Sequence, residues 1–147
     1  MTSMTSITDI NLISGTTLPL DILLVNDATP AVEIDLTNIL EIVWEVFDGS
    51  RIVIRKSYID DDITIVGDPT DGEIEITLEA DDTSPAFGVG SATATMTYAY
   101  ETRLYFSDGT QEVAPIGSII LSPTKSWRAS SVLVAGSDRY VIVQGMY

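Results

Sequence analysis

From Glu73 to Glu79 the chain reads Glu-Ile-Glu-Ile-Thr-Leu-Glu, with Ile74, Ile76 and Leu78 at every second position and Glu73, Glu75, Thr77 and Glu79 between them. Successive side chains of a strand point to opposite faces. This spacing therefore lays one apolar row against a core and one acidic row in water. A helix would scatter the same residues around its surface. The spacing predicts a half-buried antiparallel strand, and such a strand needs partners from the rest of the chain.

Those partners are legible at intervals. Leu18 to Val25 reads as a strand, with Pro19 near its start because proline cannot donate to a ladder. Ile39 to Phe47 fits two periods. Leu36, Ile39, Leu40, Val43 and Phe47 suit a helical face, whereas Leu40, Ile42, Trp44 and Val46 suit a strand face opposite Glu41 and Glu45. The run is short, β-branched and aromatic, and Asp48-Gly49-Ser50 follows it, so a hairpin returning through Arg51–Tyr58 is expected. In that strand Ile52 and Ile54 alternate with Arg51, Val53 and Arg55. Ile63 to Val66 reads as a short strand. Ser91 to Phe106 reads as a long one, with Thr93, Thr95 and Thr97 opposite Ala92, Ala94, Met96, Tyr98 and Tyr100. Ser107–Thr110 turns the chain back along Gln111–Leu121, and Val132–Val134 with Tyr140–Val143 suggests a terminal hairpin.

The sum is an all-β chain of seven to nine short strands, a sandwich or barrel. Trp44, Ile42, Val46, Ile74, Ile76 and Leu78 are its expected core. Residues 1–14, rich in Thr and Ser, are expected as an N-terminal arm, 15–123 as the sandwich and 124–147 as a C-terminal extension.

A chain of 147 residues can bury a core without staples, and with no cysteine it has none of the disulfide kind. Histidine is absent too, which removes the usual base at neutral pH and the commonest zinc ligand. "GVGSAT" at Gly88–Thr93 lacks the lysine of a phosphate loop, and Ser122-Pro123-Thr124-Lys125 matches a Ser-x-x-Lys pattern only as text. No catalytic residue, cofactor or metal is expected. The net charge of −15 disfavours nucleic acid and anionic membrane. The first fourteen residues carry no base and no long apolar run, so no secretory signal and no membrane span is expected.

Glu73, Glu75 and Glu79 read as the wet face of a strand, where nothing raises a carboxyl pKa toward acid catalysis. Asp60-Asp61-Asp62, Asp68, Asp71 and Asp81-Asp82 fall in turns, where calcium takes oxygen ligands. The spacing is not that of an EF-hand. With Gly72 as the loop glycine, the first and twelfth positions would be Gly67 and Leu78, neither of which carries a carboxylate.

Charge is uneven along the chain. Residues 1–112 hold 21 acids against four bases, a net of −17, whereas 113–147 hold three bases against one acid, a net of +2. Trp127, Arg128, Arg139, Tyr140 and Tyr147 lie in that second part and are of the types enriched at interface cores. They are the expected partner-binding residues, with the extension in contact with a neighbouring subunit.

Several stretches together resemble an immunoglobulin-like domain of bacteriophage tail and baseplate proteins, best known at the N-terminus of baseplate upper proteins. They are Gly15–Leu20, then Val32–Thr37, Asp71–Thr83, Tyr98–Glu101, Asp108–Thr110 and the closing run Gly117–Leu121. The resemblance covers 15–123. The family's compact Pro-Gly-x-Tyr entry is replaced here by Ser84–Gly90, and 124–147 has no counterpart. It implies an antiparallel immunoglobulin-like β-sandwich and a non-enzymatic virion structural protein of tail, baseplate, neck or capsid surface, made in a host cytoplasm. Its implied partners are other virion proteins and copies of itself in a homo-oligomer. The alternative is a calcium-assisted adhesion or carbohydrate-binding module using the acidic turns.

Overall fold

Each alternating stretch becomes a strand because only one of its faces can leave water. The computed structural model describes residues 9–26, 30, 32–85, 88–113, 117–123 and 140–146. Among them run ten strands: β1 (Asp9–Ile13), β2 (Leu18–Asn26), β3 (Ile39–Asp48), β4 (Arg51–Ser57), β5 (Ile63–Ile65), β6 (Glu73–Leu78), β7 (Met96–Phe106), β8 (Gln111–Val113), β9 (Gly117–Ser122) and β10 (Tyr140–Met146). One sheet has the order β1-β9-β7-β3-β4, with β8 beside the far end of β7; the other has the order β10-β2-β6-β5. β2-β6-β5 facing β9-β7-β3-β4 is the B-E-D against G-F-C-C′ arrangement of a variable-type immunoglobulin sandwich.

The core lies between the two inner rows. Leu20, Ile22 and Leu24 of β2 and Ile74, Ile76 and Leu78 of β6 form one row; Ile42, Trp44 and Val46 of β3 and Tyr98, Tyr100 and Leu104 of β7 form the other. Trp44 is fully buried, with its ring centroid 5.7 Å from that of Tyr100 and the planes tilted by 40°. In antibody domains the strand-C tryptophan packs on a disulfide. Here its surroundings are aromatic and aliphatic. The predicted core residues are all buried.

Two bulges correct the expected rows. Between Ile39 and Glu41 the pairing with β7 skips Leu40, which is left 56% exposed instead of joining the Trp44 row. Between Val46 and Phe47 the pairing with β4 skips Val53. Ile52 therefore lies opposite Phe47 and is 47% exposed, while Ile54 stays buried. One extra residue flips all that follow to the other face. The β7 row also starts later than its alternation suggests. Ala92 and Ala94 are exposed in a bent segment, and the strand begins at Met96.

Two pairings depart from the antiparallel expectation. β1 runs parallel to β9, Asp9 opposite Ser118 and Ile13 opposite Ser122. The part of the expected arm from Asp9 to Ile13 is thus a sheet strand, anchored because Ile10 and Leu12 are buried in the core. β10 runs parallel to β2 of its own chain, Tyr140 opposite Leu20 and Met146 opposite Asn26. β10 lies in the extension expected to contact a neighbouring subunit, and here it covers the otherwise open backbone edge of β2. Val132–Val134, the other half of the expected hairpin, lies outside the described residues.

Several carboxylates hold the frame together. Glu41, expected on the face of β3 opposite the apolar row, is half-buried. Its Oε2 accepts from the Ser57 hydroxyl at 2.7 Å, and its Oε1 accepts from the Ile59 and Ile42 amides at 3.0 and 2.9 Å. Burial pushes its pKa up, but the Ser57 hydroxyl and the amides of Ile59, Ile42 and Tyr58 outweigh that, and the net shift is downward. Asp62 caps the free edge of β4: Ser57 N–H donates to Asp62 Oδ2 at 3.1 Å, and Asp62 N–H donates to Ser57 O at 3.0 Å. Lys56, on the inner face of β4, reaches Asp82 at 2.7 Å across the open side of the sandwich. Asp82 also accepts from Glu79 N–H at 2.7 Å, which fastens the 3₁₀ turn Ala80–Thr83 that leaves β6.

Trp44→Ala is expected to cost about 3–5 kcal/mol in urea unfolding, the range for removing a core aromatic. A loss under about 1 kcal/mol would mean that this register is wrong. Glu41 gives a pH test. Its folded value lies below the ordinary 4.5, so its stabilisation is complete above 4.5 and fades as pH falls through the folded value. Glu41→Gln should lower stability by about 1 kcal/mol at neutral pH. The gap between variant and parent urea midpoints should narrow as the pH falls below 4.5 and through the folded value. A gap independent of pH would exclude this role.

Candidate binding cleft at the acidic loop end

Three connections meet at one end of the sandwich: the segment from β2 to β3, the turn from β5 to β6, and the turn from β7 to β8. Variable-type domains carry binding loops at the equivalent end. Each connection contains Asp-x-Thr: Asp35-Leu36-Thr37, Asp68-Pro69-Thr70 and Asp108-Gly109-Thr110. In each, the aspartate Oδ1 accepts from the threonine two residues on, twice. The amide and hydroxyl distances are 2.9 and 2.5 Å at Thr37, 3.0 and 2.9 Å at Thr70, and 2.9 and 2.6 Å at Thr110. Such side-chain turns fix the backbone locally, without help from the core.

Backbone bonds then knit the three loops together. Leu36 N–H donates to Pro69 O and Ser107 N–H to Asn38 O, each at 2.9 Å, while Ile34 N–H holds the first loop to β2 through Leu24 O, also at 2.9 Å. Gly72 makes the close approach possible. Its φ is +69°, and an added Cβ would lie 2.6 Å from Leu24 O and 2.9 Å from Ile34 O. Only glycine combines that backbone conformation with that proximity.

Between the first and third loops lies an open cleft of about 400 Å³, lined by Ile34, Phe106, Asn26, Asn38, Ser107, Thr110 and four carboxylates, Glu33, Asp35, Asp108 and Glu112. The Thr37 hydroxyl and amide hold the Asp35 carboxyl below its ordinary value, and the Thr110 hydroxyl and amide do the same for Asp108. The Thr70 amide and hydroxyl lower Asp68 too, opposed in part by the neighbouring charge of Asp35. A general acid at neutral pH needs the opposite shift. These groups stay ionised and can attract basic side chains or cations.

The expected acidic positions are dispersed. Glu73 and Glu75 are half-buried on the outer face of β6, and Glu79 is exposed at its end. Asp60–Asp62 form the turn after β4, in which Asp61 adopts a φ of +65°. Among the described residues no group of three or more acids is placed to hold a metal ion. Of the expected partner-binding residues, Tyr140 opens β10, while Trp127, Arg128, Arg139 and Tyr147 lie outside the described residues. Asp35, Asp108, Glu33 and Glu112 were not singled out from the sequence. The repeated Asp-x-Thr was the available signal for the two aspartates; Glu33 and Glu112 lie outside it.

No family model matches the chain, and no curated protein matches it. Among solved structures, one of murine CRIg is similar, with 14% identity and a TM-score of 0.35, covering 82% of this chain and 96% of that one. The fold assignment above rests on strand order and register rather than on that likeness.

The melting temperature with excess chelator should equal that with millimolar calcium. Calcium at a hundred times the dissociation constant of a folded-state site would add about 2.7 kcal/mol. An upward shift abolished by Asp35→Asn with Asp108→Asn would establish a cation site at the cleft.

Proposed function

We propose that the chain is a non-enzymatic attachment module of a bacteriophage particle, a tail, baseplate, neck or capsid-surface component that joins subunits through protein–protein contacts. The observation that supports it is the loop end. Three connections are tied into one preorganised surface, and their carboxylates are held in the charged form. Preorganised loops lose little freedom on docking. Fixed negative charge favours a basic partner surface and speeds its encounter. The virion assignment comes from the resemblance of 15–123 to phage immunoglobulin-like domains; the partners are other virion proteins and further copies of this chain.

The test is incorporation. Purified particles from a producing culture should contain the chain in fixed stoichiometry. Glu33→Gln, Asp108→Asn and Glu112→Gln together should leave the melting temperature within a few degrees of the parent. That variant should enter particles poorly, and the deficit should shrink as assembly salt rises and screens the parent's own attraction. Absence of the chain from particles would overturn the virion assignment. Equal incorporation of parent and variant would overturn the role of the acidic end.

A further inference from the structure

β10 completes a sheet whose edge cannot stay bare. β2 runs for nine residues, and six of them, Leu20 to Val25, are buried. Without β10 the β2 backbone would present a long apolar edge, the kind that recruits other chains. Seven consecutive residues of β10 pair with Leu20 to Asn26 in parallel, and among the described strands β2 is the one with which β10 pairs.

The covalent route to that position is unusually long. β9 ends at Ser122, opposite Ile13, and β10 begins at Tyr140, opposite Leu20. The chain crosses between the same two places once already, from β1 to β2, with the four residues 14–17. From β9 to β10 it uses the seventeen residues 123–139. At about 3.3–3.6 Å per residue their reach is roughly 55–60 Å. A domain of this length has a radius of gyration of about 15 Å, so that reach exceeds its own width. A connection of that length costs the intrachain pairing little extra entropy, and it is long enough to reach a neighbouring copy.

We propose that β10 is an exchangeable strand: in the assembled protein the β10 of one copy completes the β2 edge of another copy, in the register it adopts here within one chain. The partner surface is β2 Leu20–Asn26 of a second copy of this chain. Passed head to tail, the exchange closes a ring or extends a lattice; made reciprocally, it gives a dimer. The inference rests on the attachment reading above and names the element that makes the contact between copies.

The chain has no cysteine, so introduced ones report alone. Leu23 and Val143 are register partners, and adjacent strands lie within disulfide reach. Full-length Leu23→Cys and Val143→Cys, carrying different tags, are co-expressed so that they fold together, then mildly oxidised. The double variant serves as the control for register. The proposal expects a disulfide-linked heterodimer of the two single variants as the main cross-linked species, absent when either is expressed alone. Cross-linking only within single chains of the double variant, with none between co-expressed copies, overturns it, as does no cross-linking in either. Should Leu23→Cys fail to fold, Val25→Cys with Gly145→Cys repeats the test in the same register. The attachment reading is judged separately, by the presence of the chain in particles.

Discussion

The fold depends on two apolar rows meeting across the gap between the sheets, with Trp44 filling the centre. There is no covalent bond between the sheets, since the chain has no cysteine. Burial of apolar surface must therefore provide the stability that a disulfide supplies in many small secreted domains. Trp44 and Tyr100, both fully buried, supply the bulk, and aliphatic residues of β2 and β6 close around them. The period of two then dictates the rest. In β6 the residues between core residues, Glu75 and Thr77, are only half-buried, whereas in β2 the interleaved Asp21 and Leu23 are buried as well.

That division frees the ends of the sandwich for other work. The loop end is stabilised by its own short-range hydrogen bonds, those of the Asp-x-Thr turns, together with a few backbone bonds between loops. Residues such as Glu33 and Glu112 can therefore change without disturbing the core. The opposite end is fastened differently. There Gly15 N–H donates to the Thr83 hydroxyl at 2.9 Å, and Lys56 bridges to the Asp82 cap. The first end presents charge outward, while the second spends it on holding the chain together.

The acids show how one residue type serves several roles. Glu41, Asp62 and Asp82 accept backbone or hydroxyl donors that would otherwise lack partners. Asp35, Asp68 and Asp108 shape turns and at the same time present charge at the loop end. Glu73 and Glu75 lie half-buried on the outer face of β6. Alternation distinguishes an inward from an outward side chain. Whether an outward carboxylate meets water or an amide depends on which loop passes over it, and that loop comes from elsewhere in the chain.

The all-β class, the hairpin β3–β4, the strand β6 with its buried row and the core around Trp44 were legible because each follows from neighbours two residues apart. The helical alternative for Leu36–Phe47 loses to the β-branched and aromatic content and the Asp-Gly turn, both local signals. The direction and partner of β1 and β10 were not legible. Both complete open edges in parallel, and an edge exists only after the other strands have paired. Leu40 and Ile52 face water because bulges at Leu40 of β3 and Val53 of β4 shift the register, a property of two strands rather than of one. The loop cleft is hidden for the same reason. Asp35, Asp68 and Asp108 are far apart in sequence and reach one end of the molecule only because β2, β5 and β7 run in the same direction. Local chemistry thus sets which face of each segment is buried, while the order of strands in the two sheets decides which loops meet.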